Sequence, residues 1–536
     1  MKRLLRLATG LLATCGLLFT HAAFAESLFE QRLGELTEAS LAETQALLEA
    51  LEAEGDPRLL PLFDALFNGN LYYIEADQTL VAADPNSGTA PFTGILSGDV
   101  VASLSEDDVA KVRVNNRLRR YLNDALARLK LTAADPDIRI AAVNELLSQL
   151  NANTVAQLDA LRANEQNANV QKALDTALNL YTAQSSDRVG ERVQAIHALS
   201  GSLQNAVRNA LARLADDATA PEAVRIAATD SLKRIEQKFT FYSYVNQLFF
   251  GLSLGSVLLL AAFGLAITFG VMGVINMAHG EMLMLGAYTT FVVQQLMPNA
   301  INQSIWVAIP MAFLVAGSVG VLIERCVIRF LHGRPLETLL ATFGISLVLQ
   351  QLVRTVFSPL NRRVIAPDWL SGSWQINPAL SLTYNRLYIL IFALIVFAVL
   401  VLIMKKTSLG LQVRAVSQNR AMAKAMGIKT DWVDALTFGL GSGIAGIGGV
   451  ALSQLTNVGP NLGQSYIIDS FMVVVFGGVG NLYGTLVAAF TLGVANKFLE
   501  PITGTVLATT LVLVFIILFI QKKPKGLFPQ RGRAAE

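Results

Sequence analysis

The spacing of apolar residues divides this chain into two parts. In residues 26–240, apolar side chains recur every three or four positions, with Asp, Glu, Arg, Asn and Gln between them. This is the period of an amphipathic helix, and strand-like alternation is almost absent. In residues 241–521, long apolar runs follow one another instead. The pattern predicts an all-α chain in which a helical domain precedes a polytopic bundle of membrane helices.

The second part contains eight apolar segments, each close to the roughly 20 residues that a helix needs to cross a bilayer. They lie at about 244–269, 275–296, 304–326, 337–357, 386–404, 431–453, 466–496 and 502–520. The seventh is interrupted by GGVGNLYGT (477–485). Such a break is tolerated only where the backbone is buried in protein or lines a cavity. It is therefore a first indication of a pathway.

Basic loops predict how these segments cross the membrane. Residues 324–337 and 405–429 and the tail 522–536 are rich in Lys and Arg, which is typical of the cytoplasmic side. If residue 240 lies outside, three crossings place loop 324–337 on the inner side. Two more crossings place loop 405–429 on the inner side as well. Three further crossings would leave the tail outside. We therefore expect segment 466–496 to be re-entrant or to consist of two shorter pieces.

The first 25 residues have the pattern of a secretory signal peptide. A start with Lys2, Arg3 and Arg6 precedes an apolar stretch, and Ala23-Phe24-Ala25 fits a small-x-small cleavage site. An uncleaved anchor is the alternative, although the apolar stretch is short for a membrane span. A lipoprotein site at Cys15 is disfavoured because Thr14 precedes it. We expect cleavage after Ala25, which makes residues 26–240 an exported domain.

Within the exported domain, a helical theme returns. PDIRIAAVNELL (136–147) resembles PEAVRIAATDSL (221–232). Arg192 and Arg225 are 33 residues apart, and Arg139 and Lys172 have the same separation. Helix pairs with a period of 30–40 residues indicate a HEAT-like α-solenoid.

Residues 68–100 interrupt this helical pattern. They carry Tyr72, Tyr73 and several Gly and Pro residues, which predicts a small β-hairpin between helices. The domain has one histidine, His197, and no nucleophile–base pair or cluster of metal ligands. We therefore expect a docking or scaffold element without a cofactor, and not an enzyme.

Composition supports the division and excludes several functions. Of the 536 residues, 53% are hydrophobic and 15% are charged, with mean hydropathy +0.47. A soluble protein carries roughly 25% charged residues. A net charge of +2 without a basic, aromatic-rich patch gives no support for nucleic-acid binding. Two cysteines, Cys15 and Cys326, leave the exported domain without disulfides.

Glycine-rich motifs in the second part do not indicate nucleotide binding. GLGSGIAGIGG (439–449) contains a G-x-G-x-x-G match, but the match lies in an apolar helix with no preceding strand. No P-loop sequence occurs, so we do not expect this chain to bind ATP itself. The spacing of Gly439 and Gly443 instead permits close helix packing.

One apolar stretch, TFGVMGVINMAHGEMLMLGAY (268–288), holds three polar groups within six residues, namely Asn276, His279 and Glu281. Such groups in a membrane span face protein or water rather than lipid. They are either a polar knot between helices or contacts along a solute path, and both interpretations can hold together. A metal site is excluded because neither a following Cys-x-x-Cys nor an H-E-x-x-H motif occurs.

The loop 405–429 is helical in pattern and longer than a simple turn requires. A face of small residues suits insertion into the groove of a partner. The alternative, a basic loop that only obeys the charge rule, does not explain this face. The candidate coupling residues are Gly410, Arg414, Ala415, Asn419, Ala423 and Gly427.

Four stretches together resemble the branched-chain amino acid family of ABC transporter permeases. They are GLSLGSVLLLAAFGLAITFGVMGVINMAHGEMLMLGAY (251–288), GVLIERCVIRFLHGRPLETLLATFGISLVLQQ (320–351), TSLGLQVRAVSQNRAMAKAMGI (407–428) and VVVFGGVGNLYGTLVAAF (473–490). The resemblance covers residues 245–530. Within the family, the exported extension and GLAITFGVMGVINMAHGEM are similar to a urea transporter permease.

This resemblance implies uptake of urea across a bacterial inner membrane, with residues 26–240 in the periplasm. It implies a second, related permease, two cytoplasmic ATP-binding subunits and a periplasmic solute-binding protein. Residues 414–428 resemble the family's coupling helix, which seats on the ATPase. The resemblance does not say what the extension does.

The chemistry of the solute path is compatible with urea but does not select it. Urea is uncharged and needs sparse donors and acceptors in an apolar wall. The candidate path residues are Asn276, His279, Thr342, Asn481 and Tyr483, with Glu281 holding the first break rigid. A branched-chain amino acid would satisfy many of the same groups. A passive urea channel and a membrane-tethered sensor are further alternatives, but the long loop 405–429 argues against the channel.

Overall fold

A computed structural model describes most of the chain. The described residues are 32–36, 43–54, 56, 58–76, 78–83, 92–95, 100–101 and 108–528. The predicted signal peptide (1–25) and residues 529–536 of the tail lie outside them. The chain divides into two compact units, Met1–Ile235 and Glu236–Glu536.

The first unit is mainly helical. Its helices are α1 (Glu43–Glu54), α2 (Leu59–Asn68), α3 (Asn116–Leu131), α4 (Pro136–Leu146), α5 (Ala152–Asn164), α6 (Ala168–Ser185), α7 (Val189–Leu199) and α8 (Asn205–Asp216). One core cluster joins Leu51 of α1, Phe63 of α2 and Leu122 of α3, all fully buried. Local sequence starts several helices: the Asp135 carboxylate accepts a hydrogen bond from the Asp137 N–H, and Pro136 occupies the first turn.

A five-stranded antiparallel sheet follows α2, where we predicted only a small hairpin. Its strands are β1 (Leu71–Ile74), β2 (Leu80–Ala83), β3 (Phe92–Gly94), β4 (Val100–Val101) and β5 (Val109–Lys111), in the order β4-β3-β2-β1-β5. The sequence predicted fewer strands than the structure contains, because each strand has four residues or fewer. Such short strands do not show an alternating pattern. In addition, β5 lies beyond the predicted region and pairs with β1, at Tyr72 opposite Lys111.

Two of the arginines that defined the repeat make similar contacts. The Arg139 guanidinium donates to the Ala133 carbonyl oxygen at 2.6 Å and pairs with Glu165. The Arg192 Nε donates to the Ala183 carbonyl oxygen at 3.0 Å. In each case, an arginine near the start of a helix ties down the chain that precedes it.

The second unit consists mainly of long apolar helices. They are α9 (Glu222–Met272), which contributes residues to both units, α10 (His279–Leu296), α11 (Ile301–Cys326), α12 (Pro335–Phe357), α13 (Tyr384–Lys406), α14 (Ser408–Gln418), α15 (Arg420–Ala425), α16 (Thr430–Ser453), α17 (Leu462–Gly477), α18 (Leu482–Thr503) and α19 (Thr505–Lys522). A hairpin of β6 (Ser373–Asn377) and β7 (Leu380–Thr383) precedes α13.

Seven helices of the described chain are long and apolar enough to cross a membrane. The predicted interruption of segment 466–496 is present, because α17 ends at Gly477 and α18 begins at Leu482. Two helices in place of one segment give nine helices at the predicted segments of the described chain, namely these seven together with α10 and the shorter α17. Nine crossings would place the basic tail on the opposite side from residue 240, as the charge rule predicts.

Glycines set how closely the central helices approach. A Cβ built on Gly264 of α9 would lie 2.1 Å from the Gly441 carbonyl oxygen of α16, and one on Gly286 of α10 would lie 1.9 Å from the Gly446 oxygen. One on Gly317 of α11 would lie 3.2 Å from the Gly439 oxygen. The glycines of the G-x-G-x-x-G match therefore serve helix packing, with α16 at the centre of the bundle.

Candidate solute path and coupling segment

The first break in the bundle separates α9 from α10. Gly273 ends the helical path with φ +67°, a left-handed conformation that favours glycine. Residues 273–276 are irregular before α10 begins at His279. Gly270, near the end of α9, packs against the second break: a Cβ there would lie 2.4 Å from the Gly480 Cα. The two glycine-rich breaks are therefore neighbours.

The three polar residues at the first break are buried, with 1%, 0% and 1% of Asn276, His279 and Glu281 exposed. The Asn276 side-chain oxygen accepts a hydrogen bond from the Ala278 N–H at 3.0 Å. The His279 Nε2 donates to the Ala261 carbonyl oxygen of α9 at 2.9 Å. These bonds tie the start of α10 to itself and to the preceding helix.

Helix α12 supplies the partners of Glu281. Its carboxylate accepts hydrogen bonds from the Ser346 hydroxyl at 2.9 Å and from the Gln350 amide at 2.8 Å. Thr342, one turn earlier, accepts from the Met277 N–H at 3.1 Å. Ser346 and Gln350 were missed by sequence reasoning. The four-residue spacing of polar positions in an otherwise apolar helix was the signal that could have found them.

This cluster also contains polar atoms without a partner among the described residues. They are the Asn276 amide nitrogen, the His279 Nδ1 and the second oxygen of Glu281. Unpaired buried polar atoms are costly, so native structures contain few of them. The first break thus combines a rigid hydrogen-bonded frame with unused donor and acceptor capacity, which suits a polar knot and also contact with a small polar solute.

Asn481 and Tyr483 lie at the second break. The Asn481 side-chain oxygen caps α18 by accepting from the N–H groups of Tyr483 and Gly484, both at 3.1 Å. Its amide donates to the Phe528 carbonyl oxygen. The Tyr483 hydroxyl accepts from the Lys405 ammonium at 3.0 Å. No hydrogen bond in the described chain joins this pair to Asn276, His279 or Glu281, although the neighbouring Gly480 contacts α9.

The candidate coupling segment forms the short helices α14 and α15. Gly410 lies where α13 turns into α14, and a Cβ there would lie 2.2 Å from the Met404 carbonyl oxygen. Arg414 donates a hydrogen bond to the same oxygen. The Asn419 side chain caps α15 by accepting from the Met422 N–H at 2.9 Å.

Two small residues of this segment, Gly410 and Ala423, are buried. Ala423 packs in a buried cluster with Val413 and Val416 of α14 and Val433 of α16. The outward surface carries residues that sequence reasoning missed, with Leu411, Met422 and Met426 exposed by 62%, 59% and 77%. Large apolar residues among lysines in a loop expected on the cytoplasmic side were the available signal.

Gly427 closes the segment. It adopts φ +89°, the left-handed conformation of a helix C-terminus, and a side chain there would meet open space. The Ile428 N–H donates to the Ala423 carbonyl oxygen at 3.1 Å, as in a Schellman cap. The glycine is thus required by its backbone angle rather than by crowding.

An ion-pair network connects α15 with the rest of the bundle. Arg420 pairs with Asp434 of α16, which is 1% exposed, and Arg329 pairs with Asp431 at 3.4 Å. These groups line a cavity of about 470 Å³ together with His332. Burial and, second, the positive charge of Arg420 lower the pKa of His332. Displacement of α15 would therefore move α16.

Comparison with known proteins identifies the membrane unit. The family described as branched-chain amino acid transport system, permease component, matches residues 247–521. The permease protein LivH of the high-affinity branched-chain amino acid transport system of Salmonella typhimurium is 30% identical over 298 residues, covering 54% of this chain and 96% of that protein. The corresponding permease BraD of Pseudomonas aeruginosa is 28% identical over 296 residues, covering 53% and 96%.

A more distant similarity extends to the ribose import permease RbsC of Haemophilus influenzae, 31% identical over 113 residues, covering 20% of this chain and 35% of that protein. No solved structure matches the chain significantly. The family match spans half of the chain and the apolar helices described above. This multi-pass membrane protein therefore belongs to the family of permease components of branched-chain amino acid transport systems.

Proposed function

We propose that this chain is the membrane-spanning subunit of an ATP-driven importer in a bacterial inner membrane. It forms half of a solute pathway, and a second, related permease forms the other half. Two cytoplasmic ATP-binding subunits drive it, and a periplasmic solute-binding protein delivers the solute. The observation that carries this proposal is the exposed apolar surface of α14 and α15 on an otherwise basic loop.

Three exposed side chains define this surface, namely Leu411, Met422 and Met426. Large apolar side chains at such exposure mark a protein interaction site, and methionine adapts to the shape of a groove. Because the loop is basic, we place it in the cytoplasm, where a nucleotide-hydrolysing partner would meet it.

Movement at this surface has a route into the bundle. Arg420 joins α15 to Asp434, and Ala423 packs against Val433 of the same helix α16. Further along α16, Gly441 abuts Gly264 of α9, whose end leads to the first break. A displacement of α15 would therefore be transmitted through α16 to α9, which ends at the first break.

We propose that the solute path runs beside the two neighbouring breaks. Its candidate residues are Asn276, His279, Glu281, Thr342, Asn481 and Tyr483. Since Asn276 and His279 are buried and partly unpaired, they could contact solute when the breaks open. Glu281 keeps the first break in place through Ser346 and Gln350.

Two solutes are candidates. Branched-chain amino acids are favoured by the LivH and BraD relatives, whose names state this transport. Urea is favoured by the resemblance of the exported extension and of GLAITFGVMGVINMAHGEM to a urea permease. Uptake of radiolabelled urea and L-leucine, each competed with the other, in cells with and without this chain separates them. Uptake of neither would contradict the proposed import function.

For the exported unit we propose a HEAT-like docking or scaffold role. Arg139 and Arg192 make similar anchoring contacts near the starts of α4 and α7. Helix α6 is central to this part of the unit, because it contacts α4, α5, α7 and α8. Such surfaces bind extended partners, and the periplasmic solute-binding protein is the partner that we propose.

The coupling proposal is tested by placing charge on the exposed apolar surface. The double variant Met422→Asp, Met426→Asp should abolish co-purification of the ATP-binding subunits and ATP-dependent uptake. Leu360→Asp is the matched control, because Leu360 is similarly exposed and follows the C-terminal end of α12. It should retain both co-purification and uptake. Wild-type assembly and uptake in the double variant would contradict the assignment.

A further inference from the structure

A second polar site lies in the membrane unit, away from both breaks. Helices α9, α17, α18 and α19 enclose a cavity of about 310 Å³. Its lining includes the last turns of α18 and the first of α19, whereas the basic residues Lys522 and Lys523 follow at the far end of α19. By the charge rule, the cavity therefore lies toward the outer side of the membrane.

One carboxylate in this cavity has no partner. Asp469 of α17 is half-buried, and no hydrogen bond or ion pair to its side chain is found among the described residues. The other two charges on the lining, Lys497 and Glu500 of α18, pair with each other at 2.5 Å. The cavity thus holds an isolated negative charge beside a neutral ion pair.

The surroundings of Asp469 make its isolation costly. Leu258 of α9, Val473 of α17 and Leu492 of α18 line the same cavity and are 5% exposed or less. A charge beside such a wall needs water or a binding partner. In membrane segments, ionisable groups face cavities and mark solute or ion pathways. A purely structural ion pair accounts for Lys497 and Glu500 but leaves Asp469 without a role.

The hydrogen-bonding groups on the cavity lining indicate which kind of solute it can bind. An ionised carboxylate only accepts hydrogen bonds, so a solute bound at Asp469 must offer N–H donors. The Lys497 ammonium has three N–H groups, of which the pair with Glu500 uses one, and the rest can donate to an oxygen of the solute. The cavity has roughly ten times the ~30 Å³ of a water molecule, so it admits a small organic solute.

We propose that this cavity is a transient solute site that binds a small molecule with N–H donors beside an oxygen acceptor. Asp469 accepts from the N–H groups, and Lys497 donates to the oxygen. Urea carries this arrangement in its amide groups and carbonyl, and an amino acid carries it in its ammonium and carboxylate groups. The proposal rests on the import function proposed above and adds a specific position to it.

Transport kinetics in the assembled importer give the first test. Asp469→Asn should raise the KM for the transported solute about 10- to 100-fold, the effect of losing a charge-assisted hydrogen bond, with a smaller change in maximal rate. Asp469→Glu should restore most of the affinity. Glu337→Gln, which removes an exposed carboxylate outside the cavity, is the control and should keep the wild-type KM. An unchanged KM in Asp469→Asn overturns the proposal.

A second test does not depend on transport. In a full-length chain with Cys15 and Cys326 replaced by serine, Ser465→Cys places one thiol on the cavity lining. A membrane-impermeant thiol reagent should modify it in intact cells at least threefold more slowly with saturating urea or L-leucine. Tetramethylurea and glycine betaine, which lack N–H donors, should not protect. Which of the two solutes protects identifies the source of the N–H groups.

The outcomes separate the two proposals. Protection without uptake of either solute would contradict the import function and leave the cavity assignment supported. Uptake without protection, or equal protection by tetramethylurea, would overturn the cavity assignment and leave import standing.

Discussion

The contact between Gly286 and α16 offers a quantitative test of the fold. A Cβ on Gly286 would lie 1.9 Å from the Gly446 carbonyl oxygen and 2.7 Å from the Gly446 Cα. A carbon–oxygen contact needs roughly 3.3 Å. Since the obstacle is backbone in the middle of a helix, α10 must move away by roughly 1.4 Å, the difference between the two distances.

The energetic cost follows from this displacement. Overpacking a tight interface costs about 1–3 kcal/mol, and we take the upper end, about 3 kcal/mol, because helix α10 would also lose contacts elsewhere on α16. Alanine regains about 1 kcal/mol over glycine through its helix propensity. We therefore expect Gly286→Ala to destabilise the membrane unit by about 2 kcal/mol.

Gly344 provides a matched control. It lies in the interior of α12, and a Cβ there would meet nothing within 4 Å. Gly344→Ala should be neutral or stabilising by up to about 1 kcal/mol, because only helix propensity changes. The two variants make the same chemical change and should differ by about 3 kcal/mol.

Thermal unfolding of the full-length chain in detergent, followed by tryptophan emission, measures this difference. The four tryptophans lie at positions 306, 369, 374 and 432, so their emission reports on the membrane unit alone. We expect Gly286→Ala to melt at least about 5 °C below Gly344→Ala. Equal melting temperatures would refute the close packing of α10 against α16.

Three further predictions address the proposed coupling, the proposed path and the first unit. Gly427→Trp should abolish uptake but leave the membrane yield unchanged, because φ +89° strains a residue with a side chain by about 1–2 kcal/mol. Gly427→Asn should retain partial uptake. Full uptake in Gly427→Trp would contradict a coupling role. Asn276→Leu and Asn481→Leu should reduce solute flux more than co-purification of ATP-binding subunits, and normal flux in both would exclude them from the path. The hydrogen bond from Arg128 lowers the pKa of the Glu52 carboxyl, although burial acts in the opposite direction. The ionised carboxylate therefore stabilises the fold at pH values above the ordinary carboxyl pKa. This stabilisation is lost as the pH falls through the lowered pKa. Glu52→Gln should therefore cost about 1 kcal/mol at pH 7 and flatten the acid unfolding curve of the full chain by circular dichroism, and an unchanged curve would contradict this contribution.

Several candidate residues stand out from the sequence because their signal is local. Polar groups stand out in an apolar segment, and a glycine run interrupts a span whatever surrounds it. This is why Asn276, His279 and Glu281 and the break before Leu482 were found from sequence. The same rule, applied to α17 and α18, would have indicated Asp469 and Lys497, which the sequence analysis passed over.

The partners of these residues were beyond sequence analysis. Glu281 bonds to Gln350 across 69 residues of chain, and the rotation of α12 that brings them together depends on packing throughout the bundle. The same holds for α14 and α15. Their periodicity indicated a face of small residues, but only the packing of the helices decides that Ala423 lies inward against Val433 and that Met426 lies outward.

The sequence by itself determined the apolar helices, their interruption at residues 478–481 and the basic loops, since length, apolarity and charge act within one segment. Tertiary structure decided which glycines touch, which carboxylates are paired and which isolated charge faces a cavity. These depend on how separate helices are rotated and how closely they approach. The short strands of the first unit follow the same logic, because β1 and β5 acquire their register only by pairing across the chain.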